Sequence, residues 1–184
     1  MIEFLSVGIS ISWLAVRGAQ RDDVLEALGL VETDERDEFP TESPISGAVL
    51  ADGWYVVVLD RYGHALLNDD TLHRVSKLGE VVAGAGEEHV MCSFSSGWQD
   101  GRRLWWVMHD AQVGIDHLEV EGEMPSGFDQ IRDHLISQQE AEGGSEAEVD
   151  YVYDIPLDTA KLVSGFSWSE TEPEDGLVVL RRVE

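Results

Sequence analysis

Hydrophobic and polar positions along this chain repeat with two different periods, and each change of period marks an element. Within residues 2–16, Val7, Ile9 and Ile11 alternate with Gly8, Ser10 and Ser12, which predicts a strand with one buried face. Val24, Leu25 and Leu28 then fall on one helical face, with Asp22 and Asp23 in the first turn and Gly29 closing it. Residues 32–38 (ETDERDE) have no apolar period and read as a solvated acidic loop, kept irregular by Pro40 and Pro44. Residues 46–60 predict a hairpin turning at Ala51, Asp52 and Gly53. Its second arm, residues 54–59, is apolar at every position and suits a central strand covered on both sides. Asn68 offers a cap to a second helix carrying Leu72, Val75 and Leu78, with Gly79 at its end.

The densest aromatic pattern lies in residues 87–110, where two apolar segments flank Gln99, Asp100 and Gly101. Asp-Gly between such segments is a strong hairpin signal. A two-residue turn there pairs Trp98 with Arg103, Ser96 with Trp105, Phe94 with Val107 and Cys92 with His109, each pair on a common face. Ahead of it, a strand starts at residues 80–83 and the small residues of 79–86 read as a turn. Alternate serines at 93, 95 and 96 leave room for Trp105 and Trp106.

Farther on, residues 115–121 suggest a short strand. Ser126 suits the cap of a helix with Phe128, Ile131, Leu135 and Ile136 along its buried stripe. Residues 140–150 read as a mobile acidic loop and 152–155 as a strand. Pro156 then opens a short helix over 157–164 that ends at Gly165. A second acidic loop, 168–176, precedes a last strand over 177–183. Consecutive strands joined by tight turns imply antiparallel pairing. The expected fold is therefore a single α+β domain over residues 1–184, mainly a twisted antiparallel sheet with three or four short helices packed on one face.

Charge changes the picture more than length does. The 184 residues hold 37 acidic and 12 basic side chains, a formal net charge of −25. That balance argues against sequence-independent nucleic-acid binding and against anionic membrane surfaces, both of which need Lys and Arg. It points instead to water, cations or a basic protein as partners. A single cysteine excludes an internal disulfide. No run approaches the ~20 apolar residues of a membrane span, and the apolar start lacks a basic leader region. A soluble cytoplasmic protein is expected, with no cofactor.

No motif assigns a catalytic residue. Cys92 beside His109 would suit a thiolate nucleophile, although a lone cysteine in a core strand reads more simply as packing. Glu87, Glu88, His89, His109, Asp110, Asp116 and His117 form a second constellation. Within it, Glu88, His89 and Asp110 are the candidate metal ligands at the open end of the hairpin, but no HExxH or CxxC spacing accompanies them. The acidic stretches supply the broadest signal. Glu32, Asp34, Glu35, Asp37 and Glu38, with Glu172, Glu174 and Asp175, are the candidate binding residues for a basic partner.

In general character the chain is similar to the immunity proteins that neutralise toxic enzymes, an analogy of class that rests on no shared motif. The leading expectation is a non-enzymatic binding or inhibitory protein. The alternatives are a small hydrolase or metal-dependent enzyme using Glu88, His89, His109 and Asp110, and a structural component of an assembly. Either a monomer or a homodimer fits, the latter if the N-terminal strand or the Trp54 strand lies at a sheet edge.

Overall fold

In the computed structural model, which describes residues 8–37 and 42–183, the chain runs through β1 (Ser10–Arg17), α1 (Arg21–Leu28), β2 (Leu30–Asp37), β3 (Ile45–Val49), β4 (Trp54–Leu59) and α2 (Asp69–Val75). It continues through β5 (Glu80–Glu87), β6 (Cys92–Gln99), β7 (Arg102–Asp110), β8 (Glu119–Gly122), α3 (Phe128–Ala141), α4 (Asp154–Ser164) and β9 (Leu177–Arg182). Among the described residues the nine strands form one antiparallel sheet in the order β2-β9-β3-β4-β1-β5-β6-β7-β8. The fold is α+β, as the strand and turn pattern predicts.

The helices are not confined to one face. Trp13, Val56, Val82 and Val107 face α3 and α4, whereas Leu14, Val57, Val81 and Trp98 face α1 and α2. The central strand β4 is therefore apolar at successive positions. Period two in β1 was a misleading guide for the same reason: Ser12 is fully buried and donates to the Arg61 carbonyl at 2.6 Å. Strands β1 and β4 each have a partner on both sides, so neither offers the edge that would pair two copies. The edge strands among the described residues are β2 and β8.

Three further expectations need correction. Residues 32–37, whose charge predicts an acidic loop, belong to β2, which pairs with β9 about 150 residues away in the chain; no local pattern encodes such a partner. The small residues 84–86 are not a turn but the middle of β5. A Cβ on Gly84 would lie 2.5 Å from the Trp13 ring, and one on Gly86 would lie 2.5 Å from the Tyr153 hydroxyl. Glycine is there because aromatic side chains lie directly on the strand. Residues 152–155 are not a strand: Asp154 already begins α4, because Pro156 falls in the first turn, where its missing N–H leaves no bond unmade.

Helix α3 is capped at Gly127 rather than Ser126, and it runs on to Ala141. With the 3-10 turn at Gly144–Glu146, it takes up half of the stretch expected to be a mobile loop. Helix α1, closed by Gly29 in the left-handed region, follows the sequence closely, and α2 starts as expected, with the Asn68 side chain accepting from the Thr71 N–H, but it ends at Val75, short of Gly79, and leaves Leu78 exposed.

Candidate functional site

The hairpin of β6 and β7 turns at Asp100 and Gly101, both with positive φ (51° and 73°), the geometry that Asp-Gly favours. Trp98 pairs with Arg103 as expected. Beyond them Leu104 is an extra residue in β7, so Gly97 faces Trp105, Ser93 faces His109, and Cys92 faces Asp110. The bulge carbonyl of Leu104 is taken up by the Glu123 N–H at 3.0 Å. One inserted residue moves every later side chain of β7 to the other face. The expected pairing of Cys92 with His109 is thereby overturned: they lie on opposite faces of the sheet.

Cys92 is buried beside Tyr62, with Sγ 3.1 Å from the phenol oxygen. Burial raises its thiol above the usual range, and the nearby Asp110 and Glu87 add to this, against a lowering by the Tyr62 hydrogen bond. That environment holds a thiol, not a nucleophilic thiolate.

His109 is fully buried on the α4 side. Its Nδ1 lies 2.7 Å from the His117 carbonyl and its Nε2 lies 2.9 Å from Asp150. Both nitrogens face acceptors, which is the pattern of an imidazolium. Burial alone would lower its pKa; the bonds to Asp150 and to the His117 carbonyl outweigh it and raise the pKa. The other oxygen of Asp150 accepts from the Tyr153 N–H at 3.1 Å, in the manner of a helix cap.

The serines of β6 complete this attachment. Ser93 donates to the Tyr153 carbonyl at 2.7 Å and Ser95 to the Pro156 carbonyl at 2.6 Å. They do not simply vacate space for tryptophan; Gly97 does that, with the Trp105 ring lying over it. His109, Ser93 and Ser95 thus form a polar platform that fixes the start of α4 against the hairpin.

What that platform positions is a cleft of about 400 Å³. Its walls include Trp13, Glu88, Tyr153, Asp154, Asp158 and Trp168. Asp154 is held up to about 6, by burial first and then by the neighbouring Asp158, Asp150 and Glu88 charges. Asp158 is also raised by burial, with Lys161 opposing and Glu170 adding to the rise. The sequence contains no spacing that announces this group. The only available signal was the glycine at 84 and 86, which marks the strand under the aromatic rings.

The residues expected at the hairpin mouth therefore occupy separate places. Glu88 lines the cleft and accepts from the Ile9 N–H at 3.0 Å. His89 is exposed and bonds Glu87. Asp110 is near Cys92 on the opposite face from His109, and its N–H donates to His117 Nδ1 at 2.9 Å. Asp116 is exposed. Among the described residues no three His, Cys, Asp or Glu side chains are grouped so as to hold a metal ion.

The candidate binding residues are brought together in part. Glu32, Asp34 and Asp175 line one open cleft beside β2, with Arg21, Arg36 and Tyr55. Arg36 donates to the Asp175 carbonyl at 3.0 Å, joining the edge strand to the turn before β9. Glu35 pairs with Arg181, and Glu172 and Glu174 line an adjoining cleft that shares Asp175. Asp37 accepts from the Ser43 N–H at 3.1 Å, and Glu38 lies outside the described residues.

Comparisons with protein-family models, with curated proteins and with solved structures find no match to this chain. No helix among the described residues is long and apolar enough to cross a membrane.

Proposed function

We propose that this protein is a non-enzymatic binding protein that engages a basic protein through the acidic corner formed by β2 and the turn before β9. The observation that carries the reading is that Glu32, Asp34 and Asp175, from two acidic stretches far apart in sequence, line one open cleft beside an edge strand. An edge strand presents unpaired backbone groups to a partner. Its acidic side chains repel a second copy of a chain carrying −25 and attract a cationic one, so attraction and rejection favour the same partner. Inhibition of a basic enzyme by such a cover, in the manner of an immunity protein, is the form of binding that the charge suits best.

The test compares partners retained by the native chain with those retained by a Glu32→Gln/Asp34→Asn/Asp175→Asn variant. A second variant, Glu140→Gln/Glu142→Gln/Glu148→Gln, removes the same charge elsewhere. The expected result is a basic protein held at low ionic strength and released at about 0.3 M salt, lost by the first variant and kept by the second. Equal loss in both variants would reduce the effect to net charge. Retention by the first variant would overturn the assignment.

A further inference from the structure

We propose that the cleft between Trp13, Tyr153 and Trp168 binds an organic cation, an ammonium or guanidinium compound that also carries a carbonyl or hydroxyl group. This goes beyond the acidic corner of β2, with which the cleft shares no lining residue.

Two unmatched side chains indicate a ligand there. Trp13 is 1% exposed and Tyr153 5% exposed, and both line the cleft. Neither the indole N–H nor the phenol oxygen has a hydrogen-bond partner among the described residues. A buried polar atom without a partner is unfavourable, so two in one wall mark a place where another molecule completes the bonding. The indole N–H only donates and requires an acceptor on the ligand; the phenol accepts or donates.

Charge selects the rest of the ligand. Glu88, Asp154 and Asp158 line the same space, and among the described residues no basic side chain forms an ion pair with Asp154 or Asp158. Lys161, whose charge acts on Asp158, is itself bonded to Glu170 at 2.6 Å. Carboxylates with like-charged neighbours and no directly bonded counter-ion favour a cation. An inorganic ion is a poor match, because the described carboxylates do not converge as a ligand set, whereas Trp168 and Leu157 offer an apolar wall to a carbon skeleton. The upward shift of Asp154 accords with a carboxylate that lacks its cation.

Argininamide and agmatine test this directly, since both carry a guanidinium and an amine and only the first has a carbonyl. Titration of the full chain followed by the indole N–H resonances should show saturable binding of argininamide with shifts at Trp13 and Trp168. Agmatine should bind several-fold more weakly, and the uncharged polyol sorbitol should not bind. Asp154→Asn and Asp158→Asn should each weaken argininamide about tenfold or more, and Tyr153→Phe several-fold. Thermal unfolding of each variant separates lost binding from lost fold. The Glu32→Gln/Asp34→Asn/Asp175→Asn variant should bind argininamide unchanged, so the two assignments fail independently. Absence of saturable binding, undiminished binding by a folded Asp154→Asn variant, or preference for sorbitol would each overturn the cation site. Equal affinity for agmatine would overturn its acceptor requirement.

Discussion

Asp150 and Asp154 sit four positions apart and are held in opposite ways. Asp150 is buried against a protonated imidazole and a backbone N–H. Removing it leaves the His109 charge unpaired in the interior, so Asp150→Ala should destabilise the fold by about 3–5 kcal/mol, read from denaturant unfolding near pH 6. His109 holds its proton more tightly when folded than when unfolded. Its contribution is therefore complete below about pH 6.5 and is lost as pH rises through the higher folded value, and the difference between native and variant chains should shrink in alkaline buffer. Asp154 has the reverse effect. Its folded carboxyl titrates near 6, above the ordinary 3.8, so the folded state is penalised by ionisation once pH has passed through that interval. Asp154→Asn should stabilise the protein by about 1–3 kcal/mol above pH 6 and by little near pH 4. Equal stabilisation at both pH values would refute this account of the carboxyl.

At the scale of elements, β5 and the β6–β7 hairpin decide where the site lies. Glycine at 84 and 86 weakens β5 as an isolated strand, but it lets the Trp13 ring and the Tyr153 hydroxyl approach the strand closely. Gly84→Ala puts a methyl group into the Trp13 ring and should cost about 1–3 kcal/mol, with loss of the near-ultraviolet dichroism that a fixed tryptophan produces. An unchanged unfolding midpoint would mean that Trp13 is not seated there. The bulge at Leu104 is equally decisive, since without it His109 would lie on the face of Cys92 and Tyr62 and the start of α4 would lose its anchor.

The whole molecule carries −25, and its acidic groups outnumber the partners available to them. Self-repulsion opposes the compact state, and salt screens it. The thermal midpoint should therefore rise by several degrees between about 0.01 and 0.5 M sodium chloride, the range over which a basic partner should be released. A midpoint that falls or stays constant would show that the ion pairs outweigh the repulsion. Acidic edge strands also discourage pairing between copies, which interior placement of β1 and β4 already prevents at those strands.

The local signals for α1, α2, the turn at Asp100 and Gly101 and the all-apolar β4 were legible in the sequence because each depends on neighbours within one or two turns of chain. Charge class was legible for the same reason, as a property of composition. Strand β2 was not, since its partner β9 lies at the other end of the chain. Nor was the role of Asp150, hidden in a polar stretch until tertiary contact placed it on His109. The hairpin's turn could be read from two residues, but the bulge that assigns Cys92 and His109 to opposite faces depends on how β8 and the Glu123 backbone receive Leu104. Propensity and charge act locally and so are written in the sequence. Register, edge position and the meeting of Trp13, Glu88 and Asp154 are long-range, and only the tertiary structure decides them.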